Sequence, residues 1–274
     1  MDDMKKILFI DFDGTMLADD KSLPSGNKEA VEKVLDAGLF VAFNTGRSVN
    51  SGMMLLDSFG ISHPNIYMIS FQGNMIYHPD TDRVLYESGI DLKEGTDLLK
   101  LVNSKGIYAQ TYNEKGLMTI EDCYDLQNYV RITGEPVQRI DSWDDIRNET
   151  IPKVICIDYK ESGKLTAMYD EYHASGDEKF ECFFSSPWYL EFTKKGTDKG
   201  VGIVKMCEIL GIDTRDSYAI GDEENDIPLL KVAGFGAAVA NAREELKAVA
   251  DMVCIRDNNN GGFAEFCDYI LKDL

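Results

Sequence analysis

The stretch KKILFIDFDGT, residues 5–15, joins a short apolar run to two carboxylates. The four apolar residues Ile7 to Ile10 predict a buried strand, and Asp11 and Asp13 follow it directly, with Phe12 between them. Burying a carboxylate without a partner is costly, and two carboxylates this close repel each other. A positive partner is therefore expected at the end of this strand, unless the pair is simply solvated.

Strand and helix patterns alternate in the first and last thirds of the chain. A helix is predicted over Asn27–Ala37 and a second buried strand over Leu39–Phe43. The last third shows the same alternation, with a helix predicted over Gly200–Leu210 and a short strand over Ser217–Ile220. Nearly continuous apolar strands joined by helices indicate βαβ units in a parallel sheet covered on both faces. We therefore predict an α/β fold with a doubly wound parallel sheet.

The middle third has a different organisation. Pairs of short strands that fit antiparallel pairing are interleaved with helix patterns, which is typical of an α+β arrangement. We therefore predict a separate, smaller α+β domain inserted at residues 84–193. The flanking segments, 1–83 and 194–274, would then form one discontinuous domain.

The charge balance restricts the partners of this chain. Its 274 residues include 28 basic and 48 acidic side chains, which gives a formal charge of −20. Nucleic acid and anionic membranes both require a positive protein surface, so neither is expected as a partner. A small anionic substrate stays compatible, because a metal ion or a few lysines can reverse the field locally.

No pattern in the sequence predicts export or membrane insertion. The first residues, MDDM, are acidic, and the apolar run behind them is too short for a signal peptide. No apolar stretch approaches the ~18 residues that suggest a membrane-spanning helix. The six cysteines are scattered without a C-x-x-C pair, which indicates reduced thiols and argues against a structural zinc site. A cytoplasmic location is expected.

Polar residues follow three predicted strands at the point where each strand ends. Asp11 and Asp13 follow the first strand, and Thr45 follows the second, within NTGR. Asp222 follows the strand of the last third. Ligands of open parallel sheets bind where the carboxyl ends of the strands meet, so these side chains are expected to share one crevice, with Phe12 turned toward the core. Carboxylates with room for water and substrate oxygens suit Mg²⁺.

Two further segments indicate an anion and a cation at this crevice. Lys199 is predicted to precede or open a helix, where the helix dipole disfavours a positive charge. An anionic partner such as a phosphate would explain a lysine in that position. The stretch GDEENDIP, residues 221–228, places four carboxylates within five positions, for which a cation is the natural partner.

Four short motifs in this order resemble those of the haloacid dehalogenase superfamily. They are DFDGT from Asp11, TGR from Thr45, KG from Lys199 and GDEEND from Gly221. The predicted insert looks like the C2B-type cap of the Cof-like phosphatases in that superfamily. The resemblance implies a Rossmann-like catalytic core, with the cap supplying substrate specificity.

The resemblance also implies a role for each acidic residue. Asp11 would be the nucleophile that forms an aspartyl-phosphate, and Asp13 would be the general acid and base. Mg²⁺ would be held by the Asp11 carboxylate, the Asp13 backbone carbonyl and Asp222. Asp226 would order the water ligands of the metal. The phosphoryl oxygens would be bound by Thr45, Lys199 and Asn225 and by backbone amides near Phe12 and Gly46.

Two further residues belong to this scheme. Arg47, in TGR, would support the site from behind its direct ligands, contact the edge of the substrate, or form an ordinary salt bridge. Gln72, in FQGN, stands where members of that superfamily tend to carry asparagine, which is a departure from their pattern.

The sequence therefore predicts a Mg²⁺-dependent phosphatase, a hydrolase acting on small phosphorylated metabolites such as sugar phosphates or phosphorylated cofactors. A phosphomutase or phosphotransferase on the same scaffold is one alternative, and product analysis distinguishes it because a mutase conserves organic phosphate. A non-catalytic module that holds phosphate and Mg²⁺ is another. Phospho-accepting receivers of that kind are shorter and have no cap, whereas this chain has both the insert and the acid–base residue Asp13.

Overall fold

The computed structural model describes residues 5–176 and 178–272. The chain divides into two compact units. The first contains the residues up to Arg47, Gly52–Tyr86 and the residues from Asp198 onward, and the second contains Ser48–Ser51 and Glu87–Thr197. The assignment of residues 84–193 to a separate cap domain stays a prediction.

The secondary structure alternates in the first unit and is mixed in the second. In chain order the described strands are β1 (Ile7–Ile10), β2 (Phe40–Asn44), β3 (Ile66–Ser70), β4 (Met75–His78), β5 (Arg83–Glu87), β6 (Ile90–Asp91), β7 (Tyr108–Asn113), β8 (Gly116–Thr119), β9 (Val137–Arg139), β10 (Thr150–Ile151), β11 (Val154–Ile157), β12 (Phe180–Ser186), β13 (Tyr189–Lys194), β14 (Ser217–Gly221), β15 (Phe235–Ala238) and β16 (Met252–Val253). The described α-helices are α1 (Asn27–Asp36), α2 (Val49–Phe59), α3 (Leu92–Ser104), α4 (Tyr124–Thr133), α5 (Lys164–Ser175), α6 (Lys199–Leu210), α7 (Ile227–Val232), α8 (Glu244–Lys247) and α9 (Gly262–Ile270).

The first unit is built on an eight-stranded sheet in the order β16-β15-β14-β1-β2-β3-β4-β5. The strands from β16 to β3 are parallel, and β4 pairs antiparallel with β3. All four residues of β1, Ile7 to Ile10, are fully buried. Alternate side chains of a strand point to opposite faces, so this burial means that both faces of the sheet are covered. The predicted α/β fold with a doubly wound parallel sheet is confirmed.

The first helix shows how local sequence produces this covering. Its apolar residues Ala30, Val31, Val34 and Leu35 recur at helical spacing and are all buried. Gly38 follows with a φ of 90°, a left-handed conformation that glycine adopts without strain, and the chain then enters β2. Strands β4 and β5, at one edge of the eight-stranded sheet, were not predicted from the sequence.

The second unit contains a six-stranded sheet in the order β12-β13-β11-β7-β8-β9 and a two-stranded pair of β6 with β10. The six-stranded sheet is antiparallel except for the pair of β8 with β9. Helix α4 was missed because the sequence pattern there is weak: only Leu126 and Tyr129 of this helix are buried. Within the described residues, no helix is both long and apolar enough to cross a bilayer.

Candidate active site

The predicted site residues lie at one edge of the eight-stranded sheet. Strands β14, β1, β2 and β3 are adjacent and parallel, and Ile10 at the end of β1 pairs with Ile220 of β14 and Phe43 of β2. The residues that follow these strands therefore lie side by side. Phe12 is the exception, since its ring is fully buried and stacks on Phe43 with ring centroids 4.8 Å apart.

A buried lysine links two of the three carboxylates at this edge. The ammonium group of Lys199 donates to Oδ1 of Asp11 and to Oδ1 of Asp226, each at 2.6 Å. Lys199 opens helix α6, and the Asp198 side chain caps that helix by accepting from the backbone amide of Val201 at 3.0 Å. The lysine thus has two carboxylate partners that offset its unfavourable position at a helix N-terminus.

Asp222, the third carboxylate, is held from two sides. The hydroxyl of Thr15 donates to its Oδ1 at 2.7 Å. Gly14 has a φ of 81°, and a Cβ atom at this position would overlap Oδ2 of Asp222, so only glycine fits here. The second oxygen of Asp226 accepts from the amides of Asp222 at 3.0 Å and Glu223 at 3.1 Å, which fixes the loop after β14.

The electrostatics of this cluster are unbalanced, with three buried carboxylates facing one lysine. Burial and the charges of Asp226 and Asp222 raise the pKa of Asp11 well above its usual range, although Lys199 acts in the opposite direction. Burial likewise raises the pKa of Asp222 to about 6, with a further contribution from Asp226. Burial disfavours the charge on Lys199, but Asp11 and Asp226 together raise its pKa above the ordinary value.

The donor set fits a hard divalent cation. Asp11, Asp222 and Asp226 each offer a carboxylate oxygen within 4.8 Å of the others. Both oxygens of Asp226 are used by Lys199 and by backbone amides. Oδ2 of Asp11 and Oδ2 of Asp222 accept no hydrogen bond from the residues that the structure describes. Asp11 and Asp222 are therefore the carboxylates that suit direct binding of Mg²⁺, and Asp226 suits the support of their loop.

Asp13 lies in a separate ion-pair cluster. Arg47 donates from Nε to Oδ2 and from Nη2 to Oδ1, both at 2.7 Å, and the ammonium group of Lys21 lies 2.8 Å from Oδ1. Burial opposes the charge of Asp13, but the hydrogen bonds and charges of Arg47 and Lys21 lower its pKa to about 2. Arg47 thus forms a salt bridge with Asp13, and a contact of Arg47 with the substrate stays a prediction.

The segments that carry Thr45, Gly46 and Asn225 meet at Gln72, through its backbone amide and its side chain. The backbone amide of Gln72 donates to the carbonyl of Thr45 at 3.1 Å. The Asn225 side chain donates to Oε1 of Gln72 at 3.4 Å. A Cβ atom at Gly46 would lie 2.7 Å from Nε2 of Gln72, so the missing side chain leaves room for this glutamine. Gln72 adopts a φ of 59°, which is uncommon outside glycine.

The predicted site residues lie in three groups at this edge: Asp11, Asp222, Asp226 and Lys199; Asp13 and Arg47; and Thr45, Gly46 and Asn225 around Gln72. Two residues that contact these groups were missed by the sequence analysis, Thr15 and Lys21. Thr15 belongs to the quoted DFDGT motif and could have been found there, because a buried hydroxyl near a carboxylate needs a partner. Lys21 had no such signal, since a lysine in a polar stretch is ordinarily a solvated surface residue.

This chain is similar to known proteins in both sequence and fold. A sequence model of the haloacid dehalogenase-like hydrolase family matches residues 8–267. The 5-amino-6-(5-phospho-D-ribitylamino)uracil phosphatase YwtE of Bacillus subtilis is 28% identical over 97% of this chain and 98% of its own. YitU, a B. subtilis phosphatase of the same description, is 24% identical over 93% of this chain and 94% of its own. The fold is similar to that of a haloacid dehalogenase-like hydrolase from Bacteroides thetaiotaomicron, with a TM-score of 0.86 at 23% identity, covering 97% of this chain and 99% of the other.

Proposed function

This chain belongs to the haloacid dehalogenase-like hydrolases, and on that premise we propose that it is a Mg²⁺-dependent phosphatase of small phosphorylated metabolites. The observation that carries the proposal is the buried contact of Lys199 with Asp11 and Asp226 at the carboxyl edge of the sheet. A lysine held there supplies positive charge beside a carboxylate that a phosphoryl group can approach. That arrangement suits phosphoryl transfer, which depends chiefly on positioning and on neutralising charge.

The first half of the reaction transfers the phosphoryl group to Asp11. One carboxylate oxygen of Asp11 attacks phosphorus while the bond from phosphorus to the leaving oxygen breaks with its electron pair. Arg47 and Lys21 keep Asp13 ionised in the protein without substrate, so Asp13 must first take up a proton as the substrate binds. Asp13 then donates that proton to the leaving oxygen, so an alcohol leaves and an aspartyl-phosphate remains on Asp11.

The second half returns the enzyme to its starting state. Asp13, now ionised, takes a proton from a water molecule as the water oxygen attacks phosphorus. The bond from phosphorus to the Asp11 oxygen breaks, and inorganic phosphate and the free Asp11 carboxylate are released. Asp13 thus exchanges one proton in each half, in opposite directions.

Asp11, Asp222 and the backbone carbonyl of Asp13 would hold Mg²⁺, with Asp226 ordering its water ligands. The bound ion would neutralise phosphoryl charge and orient the transferring group. The side chains of Thr45, Lys199 and Asn225 and the amides near Phe12 and Gly46 would bind the phosphoryl oxygens.

The substrate class follows from the relatives. YwtE and YitU are named for a substrate in which a phosphorylated ribityl chain is attached to a uracil ring. By extension, we propose that this chain acts on sugar phosphates or phosphorylated cofactors. Residues 84–193 would form the cap that selects among these substrates. The expected location of this activity is the cytoplasm.

The test is release of inorganic phosphate from a panel of phosphorylated sugars and cofactors, with Mg²⁺ and with a chelator. Activity should require Mg²⁺, and Asp11→Asn should abolish it. Asp268→Asn is the matched control, because Asp268 is an exposed aspartate of the same unit. Near-full activity of Asp11→Asn would falsify the assignment. Transfer of the phosphoryl group to a second sugar, with no free phosphate, would support the mutase alternative.

A further inference from the structure

Two cationic side chains, Arg47 and Lys21, bind the carboxylate of Asp13. Arg47 binds both of its oxygens, and Lys21 adds a third charge-assisted hydrogen bond, on Oδ1. Because the Asp13 carboxylate is bound by two cations that approach from different segments, its orientation is defined by both of them.

Lys21 reaches Asp13 from a tight turn whose backbone is unusual. Its φ is 67°, in the left-handed region that residues with a Cβ atom rarely adopt. The amide of Lys21 donates to the carbonyl of Ala18 at 2.9 Å, and the amide of Ala18 donates to the carbonyl of Ser22 at 3.0 Å. These two hydrogen bonds close the turn and direct its single lysine toward Asp13.

The turn is also fastened from its other side. The side-chain amides of Asn258 and Asn259 donate to the two oxygens of Asp19 at 2.9 and 3.1 Å, and the amide of Asp19 donates to Oδ1 of Asn259 at 3.1 Å. Asn258, which is almost fully buried, donates in addition to the carbonyl of Leu17 at 3.0 Å. Lys21 is thus presented by a segment with a defined position.

Stability does not account for this arrangement. The side chains of Lys21 and Asp13 are 54% and 37% exposed, and an ion pair with that exposure contributes little to stability. A left-handed conformation at a non-glycine residue is unfavourable. The ion pair therefore does not explain the strained turn, and strain of this kind is characteristic of functional positions.

Resting on the proposed phosphatase function, we infer that Lys21 is a positioning residue for the reaction. It holds the Asp13 carboxylate in the orientation from which Asp13 exchanges protons with the leaving oxygen and the hydrolytic water. Arg47 sets the plane of the Asp13 carboxylate through its two hydrogen bonds, and the third hydrogen bond, from Lys21 to Oδ1, holds that pair in place from a second segment. A misplaced acid–base group slows both half-reactions and leaves phosphoryl binding intact.

The decisive variants are Lys21→Gly, Lys21→Met and Lys21→Arg, assayed with 4-nitrophenyl phosphate and the best alkyl phosphate of the panel. Lys21→Met should lower kcat for the alkyl phosphate about tenfold with KM nearly unchanged, as expected for a partly misplaced acid–base group. Cleavage of the aryl phosphate needs less protonation of the leaving oxygen, so kcat for this substrate should fall less. Lys21→Arg should recover most of kcat.

Lys21→Gly separates positioning from a structural role. Glycine adopts the left-handed conformation without strain, so the melting temperature of the Lys21→Gly variant should equal or exceed that of the wild type. Its kcat should fall as in Lys21→Met. Lys205→Met is the control, since Lys205 pairs with Glu208 at 2.7 Å on the exposed side of α6. It should leave kcat unchanged.

The outcomes distinguish this inference from the proposed function. An inactive wild-type enzyme overturns the proposed function and, with it, the role of Lys21. An active wild type with an unchanged kcat in Lys21→Met and Lys21→Gly overturns only the inference. An effect confined to KM also overturns it, because Lys21 would then contact the substrate and not position Asp13.

Discussion

The ammonium group of Lys199 lies 2.6 Å from Oδ1 of Asp11, and both side chains are almost completely buried. The lysine at the start of α6 therefore neutralises the carboxylate at the end of β1, 188 positions away in the chain. Its second carboxylate partner, Asp226, organises the loop that carries Asp222. One buried cation thus connects three segments of the candidate active site.

Removing that cation should destabilise the protein as well as abolish phosphatase activity. Lys199→Met leaves the buried Asp11 and Asp226 without their shared partner, and breaking a buried pair from one side costs about 3–5 kcal/mol. Urea denaturation measures the loss. Lys205→Met, on an exposed face of the same helix, should change stability by less than about 1 kcal/mol. Equal stability of the two variants would contradict the central role of Lys199.

Replacing Asp13 should separate the two halves of the reaction. With an aryl phosphate, Asp13→Asn should still form the phosphorylated enzyme, because a good leaving group requires little protonation. Hydrolysis of that enzyme should slow by about 10²-fold or more, since the base that activates water is missing. Rapid quench followed by mass measurement of the intact protein detects the trapped species. Fast turnover without accumulation would remove Asp13 from its proposed role.

The metal-free protein should lose stability as the pH rises from about 4 to about 6. Burial raises the pKa of Asp222 to about 6, so in this interval the folded state keeps a proton that the unfolded chain has released. A raised carboxyl pKa therefore subtracts stability, on the order of 3 kcal/mol once the group is fully ionised. Thermal melting in a chelator, repeated across this pH range, measures the slope.

Two comparisons test the cause of that slope. Asp222→Asn cannot ionise, so its melting temperature should depend less on pH than that of the wild type. Mg²⁺ should restore stability to the wild type near neutral pH, because the ion binds the folded state. The same pH dependence in Asp222→Asn and in the wild type would show that the Asp222 pKa is not raised.

Two glycines provide a matched pair for testing the geometry around Asp222. Gly14 and Gly26 have φ values of 81° and 91°, so alanine at either position costs about 1–2 kcal/mol of backbone strain. Only at Gly14 would the new Cβ atom overlap Asp222; nothing lies within 4 Å of it at Gly26. Gly14→Ala should therefore abolish activity and weaken Mg²⁺ binding, whereas Gly26→Ala should keep both. Equal activities would show that the loop can move aside.

Much of the fold was predictable because its signals are local. The uninterrupted apolar residues of β1 indicate a strand buried on both faces, and the helical spacing of Ala30, Val31, Val34 and Leu35 indicates the covering helix. The weak helix α4, with only Leu126 and Tyr129 buried, was not predictable in this way. Its stability comes from packing in the folded protein more than from its own pattern.

The sequence by itself determined the chemistry of the site: carboxylates at strand ends, a lysine opening a helix, and an acidic loop in an order that identifies the family. Only the tertiary structure decided the partners. It pairs Asp13 with Arg47 and Lys21, Thr15 with Asp222, and Asn225 with Gln72. The reason is that a motif specifies the groups one short segment offers, whereas ion pairs and hydrogen bonds act over a few ångströms between segments that only the folded sheet brings together.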